Sequence, residues 1–104
     1  MKITKANAEY SGGGIYIYTG EFDDGTYFMT SDDMPDDILV LDADPMESSD
    51  DCFYADWQIE HLVDEINDIS VTINAIDWIL VNEPGGNYRN CDLEERKDEM
   101  KKEG

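Results

Sequence analysis

Gly14-Ile15-Tyr16-Ile17-Tyr18-Thr19-Gly20-Glu21-Phe22-Asp23-Asp24-Gly25-Thr26-Tyr27-Phe28-Met29-Thr30-Ser31 reads as a β-hairpin. β-Branched and aromatic residues crowd both arms, as a pleated, half-buried surface favours. Asp24-Gly25 between them is a two-residue turn signal, because a type I′ turn needs positive φ at both central positions. Such a turn pairs Phe22 with Tyr27 and Gly20 with Met29. Tyr16, Tyr18, Phe22, Tyr27 and Met29 then share one face, and Ile15, Ile17, Thr19, Phe28 and Thr30 the other. Both faces carry apolar groups, so periodicity alone does not choose between them. The branched aliphatics favour the Ile15, Ile17 and Phe28 face as the core, with the tyrosines partly exposed.

Working outward, Lys2–Glu9 reads as a first strand, joined to the hairpin through Ser11-Gly12-Gly13-Gly14. Downstream, Asp32-Asp33-Met34-Pro35-Asp36-Asp37 reads as an acidic loop with a proline breaker. Ile38-Leu39-Val40-Leu41 is a short apolar run bounded by turn residues, the pattern of a buried strand. Residues Asp42 to Asp51 read as a second acidic loop. From about Tyr54 the period changes. Ile59, Leu62, Val63 and Ile66 recur at helical spacing, and Ile69, Ile73, Ile76 and Leu80 continue the stripe. Asn67, Asp68 and Ser70 are cap-type residues between the two runs, which predicts two helices rather than one. Val71-Thr72-Ile73 is β-branched, which leaves a strand open as the alternative for Val71–Leu80. Pro84-Gly85-Gly86 ends that element. Asp92 with Glu95 three residues on predicts an N-cap, and a charged helix from Leu93 to about Lys102.

These elements predict an α+β fold. A four-stranded antiparallel N-terminal meander is packed by two helices of the C-terminal half, followed by a short charged C-terminal helix. The 104 residues suit one domain, with 90–104 as its tail.

The charge is the strongest anomaly. There are 26 Asp and Glu against 7 Lys and Arg, a formal net charge of −19. Between Ala6 and Tyr88 there are 20 acidic residues and no Lys or Arg. The bases are confined to Lys2 and Lys5 at one end and to Arg89, Arg96, Lys97, Lys101 and Lys102 at the other. Direct binding to nucleic acid or to an anionic membrane is disfavoured by such a body, and a basic protein surface is the partner it favours. The start of the chain has no apolar run, and no segment approaches a membrane span, so a cytoplasmic location is the expectation. Cys52 and Cys91, without a secretion signal, read as reduced thiols. The Ile and Asn content, with Lys over Arg, resembles an AT-rich bacterial or phage coding sequence.

Asp56, Glu60, Asp64 and Asp68 recur every four residues on the first predicted helix. A ladder of carboxylates at that interval, about 6 Å per step along the axis, resembles a row of phosphates. Together with Asp32, Asp33, Asp36 and Asp37 they form the candidate partner-binding set. Their functional reading is a non-enzymatic interaction protein, in its sharpest form a nucleic-acid mimic. It would occupy the Lys and Arg sites of a nucleic-acid-binding protein, as inhibitors from phages and mobile elements do. The competing reading is a solvated face on an acidic, purely structural domain. A second alternative is divalent-cation binding, or a carboxylate-dependent enzyme, using the two acidic loops. Asp42-Ala43-Asp44 begins like a calcium loop, but Met46, Glu47 and Phe53 stand where a ligand, Gly and Glu belong. His61, the sole histidine, has Asp64 and Glu65 within a turn and reads as an ion-paired surface group. No cofactor motif is present, since Gly12–Gly14 lies between strands rather than before a helix.

Overall fold

A computed structural model describes residues 2–45, 66–83 and 90–103 of the chain. Its architecture is α+β. Four strands, β1 (Ile3–Gly12), β2 (Ile15–Phe22), β3 (Tyr27–Ser31) and β4 (Met34–Leu41), form an antiparallel sheet in the order β1-β2-β3-β4. Among the described residues two helices follow, α1 (Ile69–Asn82) and α2 (Asn90–Glu103). Helix α1 packs against β1, β2 and β4, and α2 packs against α1. Ala6, Ala8, Tyr16, Tyr18, Phe22, Phe28, Ile38 and Val40 of the sheet meet Ile76, Ile79, Leu93 and Met100 of the helices in one core.

The hairpin register differs from the expected one by a single residue. Glu21 pairs with Tyr27, Gly20 with Phe28 and Thr19 with Met29. The cause is a three-residue loop. Gly25 N–H donates to Phe22 O at 3.1 Å, Phe22 N–H donates to Thr26 O at 2.8 Å, and Gly25 has φ +88°. This is a type I turn closed by a left-handed glycine, which an Asp-Asp-Gly sequence serves as well as the two-residue form. Because side chains alternate along a strand, the slip brings Tyr16, Tyr18 and Phe22 onto the same face as Phe28 and Thr30. That face is the buried one, and Ile15 and Ile17 lie half-buried on the opposite side. The expectation of an isoleucine core with exposed tyrosines is corrected accordingly. Gly20 is required at its position. A Cβ there would lie 2.2 Å from Lys5 O and 2.5 Å from the Phe28 ring.

The expected acidic loop Asp32–Asp37 is also corrected. Only Asp32 and Asp33 form the turn, and Met34 to Asp37 open β4. Pro35 is tolerated because β4 is an edge strand, where a missing N–H breaks no ladder bond.

Residues Val71–Leu80 are helical. Asp68 caps α1, its Oδ1 accepting the Ser70 N–H at 3.1 Å. The buried stripe is Thr72, Ala75, Ile76 and Ile79, rotated from the expected one. Ile69, Ile73 and Leu80 pack at its margin. Thr72 belongs in the core because its hydroxyl is satisfied there, donating to Pro35 O at 2.5 Å with Thr30 Oγ1 at 3.2 Å. Helix α2 begins three residues before its expected start. Asp92 therefore lies in its first turn rather than at the cap. Of the expected first helix, Ile66 and Asp68 fall among the described residues: Ile66 is buried, and Asp68, expected as the last rung of the carboxylate ladder, has extended backbone and caps α1 instead.

Candidate functional site

Asp32 sits in the β3–β4 turn and gathers three donors. Its Oδ2 accepts the Tyr16 N–H at 3.0 Å and Arg96 Nε at 2.9 Å, and its Oδ1 accepts the Tyr18 hydroxyl in a short bond. Arg96 reaches it from α2, donates a second bond to Gly14 O at 2.8 Å, and lies 5.5 Å over the Tyr16 ring. The Tyr16 hydroxyl donates to Asp92 Oδ2 at 3.3 Å, also on α2. One carboxylate thus ties two neighbouring strands to the C-terminal helix. Burial, reinforced by the bond to Asp32, holds the Tyr18 phenol well above its ordinary range. The hydrogen bond to Asp32 pushes the Arg96 guanidinium up in the same way, against the opposing effect of burial. At the next residue, Lys97 Nζ donates to Asp77 Oδ1 of α1 at 2.8 Å, and that bond raises its pKa. Arg96 and Lys97 are the two bases that fasten α2, one to the sheet and one to α1.

The fate of the eight candidate carboxylates follows from these contacts. Asp32 is taken up by the fold, with its side chain only a tenth exposed. Asp33, Asp36, Asp37 and Asp68 are exposed. Asp33 lies in the turn, and Asp36 and Asp37 lie on the edge strand β4. Asp68 is brought beside β4 by its neighbour Asn67, whose Oδ1 accepts the Ile38 N–H at 2.8 Å. These four line one margin of the sheet. Glu99 of α2 shares with Asp33 a cleft of about 340 Å³, and Arg96 forms part of the same wall. Asp56, Glu60 and Asp64 lie outside the described residues, as do His61, Cys52 and the stretch from Met46 to Asp51. Cys91 is a free, exposed thiol.

No protein-family model, curated protein or solved structure matches this chain. Function is therefore argued from surface chemistry. Among the described residues, no group of three or more His, Cys, Asp or Glu side chains is placed to hold a metal ion. Also among them, no helix is long and apolar enough to cross a membrane. Two further clefts are present. One of about 420 Å³ is walled by Ile3, Phe22, Val71, Trp78 and Val81. The other, of about 280 Å³, brings Lys5 and Asn7 near Asp44 and Glu83. Sequence reading placed Tyr16 and Tyr18 on a partly exposed face and Asp92 at a helix cap, and it missed Arg96 and Glu99. The available signal was the isolation of the bases in the tail, since a cation in so acidic a chain has many carboxylates to meet.

Proposed function

We propose that this chain is a non-enzymatic interaction protein that binds a basic protein surface, acting in the cytoplasm. Its binding margin is the one that carries Asp33, Asp36, Asp37 and Asp68. The sharpest form of the reading is mimicry of a nucleic-acid backbone, so that the partner is a protein that otherwise holds DNA or RNA. One observation carries the proposal: four exposed carboxylates follow one edge of the sheet, in a stretch of chain without a single Lys or Arg. Such a margin steers a basic partner by long-range attraction and gives fast, salt-sensitive association.

The test is capture from a cell lysate with the intact chain as bait, at low and high salt, with duplex DNA as competitor. A parallel bait carries Asp33→Asn, Asp36→Asn, Asp37→Asn and Asp68→Asn together. Asparagine keeps the shape of each side chain and remains a good N-cap at position 68. A basic protein held at low salt should be displaced by DNA and lost from the neutralised bait. Capture that survives both, or no basic protein captured at all, overturns the proposal.

A further inference from the structure

We propose that the cleft between α1, the start of β1 and the end of β2 is a binding site for a small, uncharged aromatic molecule. The helix comes first. Of the 14 residues of α1 only Asp77 is charged, in a chain where 32% of residues are. Thr72, Ala75, Ile76 and Ile79 turn one face of α1 into the core. Val71, Asn74, Trp78 and Val81 recur at i, i+3, i+7 and i+10, so they form a second stripe on the flank of the same helix. A surface helix ordinarily carries charged and polar groups away from the core, yet α1 carries valine and tryptophan there. The stripe is open to solvent, with Val81 78% exposed and Trp78 only partly buried.

Ile3 and Phe22 of the sheet complete the cleft with this stripe, and its volume is about 420 Å³. Sites for small molecules commonly span about 300–1,000 Å³, and apolar and aromatic walls with a few polar groups are their usual lining. The polar groups here are Lys2, Asn74, Asp77 and Asn82.

Charge selects the occupant. Lys2 and Asp77 leave the lining of this cleft without net charge. In the other two clefts the acids outnumber the bases, Asp44 and Glu83 against Lys5, and Asp32, Asp33 and Glu99 against Arg96. A ligand carboxylate is repelled by the chain as a whole, whose net charge is −19. A ligand ammonium meets one carboxylate here, Asp77, which already accepts from Lys97 at 2.8 Å. Either ion would also exchange water for apolar walls, a loss that a neutral ring escapes. Trp78 supplies an aromatic wall for stacked or edge-on packing. Among the described residues, the Asn74 amide and the Trp78 indole N–H make no hydrogen bond, so both are free to meet a polar atom on the ring.

Proton–nitrogen correlation NMR on the full chain, titrated with indole at about 0.15 M NaCl, tests this. Indole should shift the backbone signals of Val71, Asn74, Trp78 and Val81 and the side-chain N–H of Trp78. The shifts should saturate with a Kd of about 1 mM, in keeping with so small a ligand. Indoleacetate and tryptamine add a carboxylate or an ammonium to the same ring, and each should bind there at least about fivefold more weakly. Val81→Asp and Asn74→Asp, both at exposed positions, place a charge at the cleft. Each should weaken indole binding at least about fivefold, while the signals of the sheet remain in place and confirm the fold. Shifts that are absent, or that spread over the molecule without saturating, overturn the proposal. So do charged analogues that bind as tightly as indole, or variants that bind indole like the wild type.

Discussion

Replacing Asp32 with alanine is the most informative single change. Three donors lose their acceptor at once: the Tyr16 N–H, the buried Tyr18 hydroxyl and the Arg96 guanidinium. A hydrogen bond to a charged group contributes about 1.5–3 kcal/mol net, and removing one partner of a buried pair costs about 3–5 kcal/mol. Arg96 keeps 23% of its side-chain surface in solvent and retains its bond to Gly14 O, so the lower end applies. The expected loss is about 3 kcal/mol, a large part of the 5–15 kcal/mol typical of a folded chain. With a urea slope of about 1.5 kcal/mol/M, the unfolding midpoint falls by about 2 M. Asp32→Asn keeps the shape and one acceptor oxygen but removes the charge facing Arg96, and should cost about half as much. Asp36→Ala, at an exposed site on β4, should stay within about 0.5 kcal/mol. Urea titration followed by tryptophan fluorescence measures all three. An Asp32→Ala midpoint indistinguishable from that of Asp36→Ala would refute the role assigned to this carboxylate in fastening α2.

Gly20→Ala should lose about 2–3 kcal/mol in the same titration, because the nearest obstacle to its Cβ is the Lys5 carbonyl rather than a movable side chain. Asp68→Ala should cost about 1 kcal/mol through loss of the cap on α1, and Asp68→Asn much less. The Tyr18 phenol is raised in the folded state, so its contribution to stability is complete below about pH 10 and is lost as pH climbs above that value. Melting temperatures above about pH 10 should therefore fall, by as much as about 1.4 kcal/mol of stability per pH unit from this group, and Tyr18→Phe should flatten the decline. Added NaCl should raise the melting temperature at neutral pH by screening the self-repulsion of a −19 chain, and a flat or falling response would contradict that account.

The strand pattern, the meander and the boundary between Asp68 and Ser70 were legible in the sequence because each rests on local chemistry. The register was not. Asp23-Asp24-Gly25 serves a three-residue loop as well as Asp24-Gly25 serves a two-residue one, and the choice shifts every cross-strand pair between β2 and β3. The identity of the core face was hidden for a related reason. Ile15 and Ile17 offer as much apolar surface as Tyr16 and Tyr18, and what decides is that the two hydroxyls find Asp92 and Asp32. Helix α2 reads from its sequence as a charged tail. Its inward face is Leu93, Arg96, Lys97 and Met100, a regular i, i+3, i+4, i+7 stripe in which the two middle positions bury aliphatic stems and carry their charges to Asp32 and Asp77. Of the candidate carboxylates, solvent exposure separates Asp32 from Asp33, Asp36, Asp37 and Asp68, and a run of adjacent aspartates carries no signal of which one turns inward.

The two ends of the chain, where all its bases lie, do different work. From the tail, Arg96 neutralises Asp32 in the joint between α2 and the sheet, and Lys97 pairs with the half-exposed Asp77 of α1. Arg96 also lines the cleft that Asp33 and Glu99 share, so the Asp33 end of the β4 margin is partly compensated. From the start, Lys5 balances Glu9 along β1 and makes that edge neutral. The two outer strands of the described sheet thus differ in charge, β4 being purely anionic and β1 carrying Lys5 beside Glu9, so a basic partner meets an attraction at β4 that it does not meet at β1.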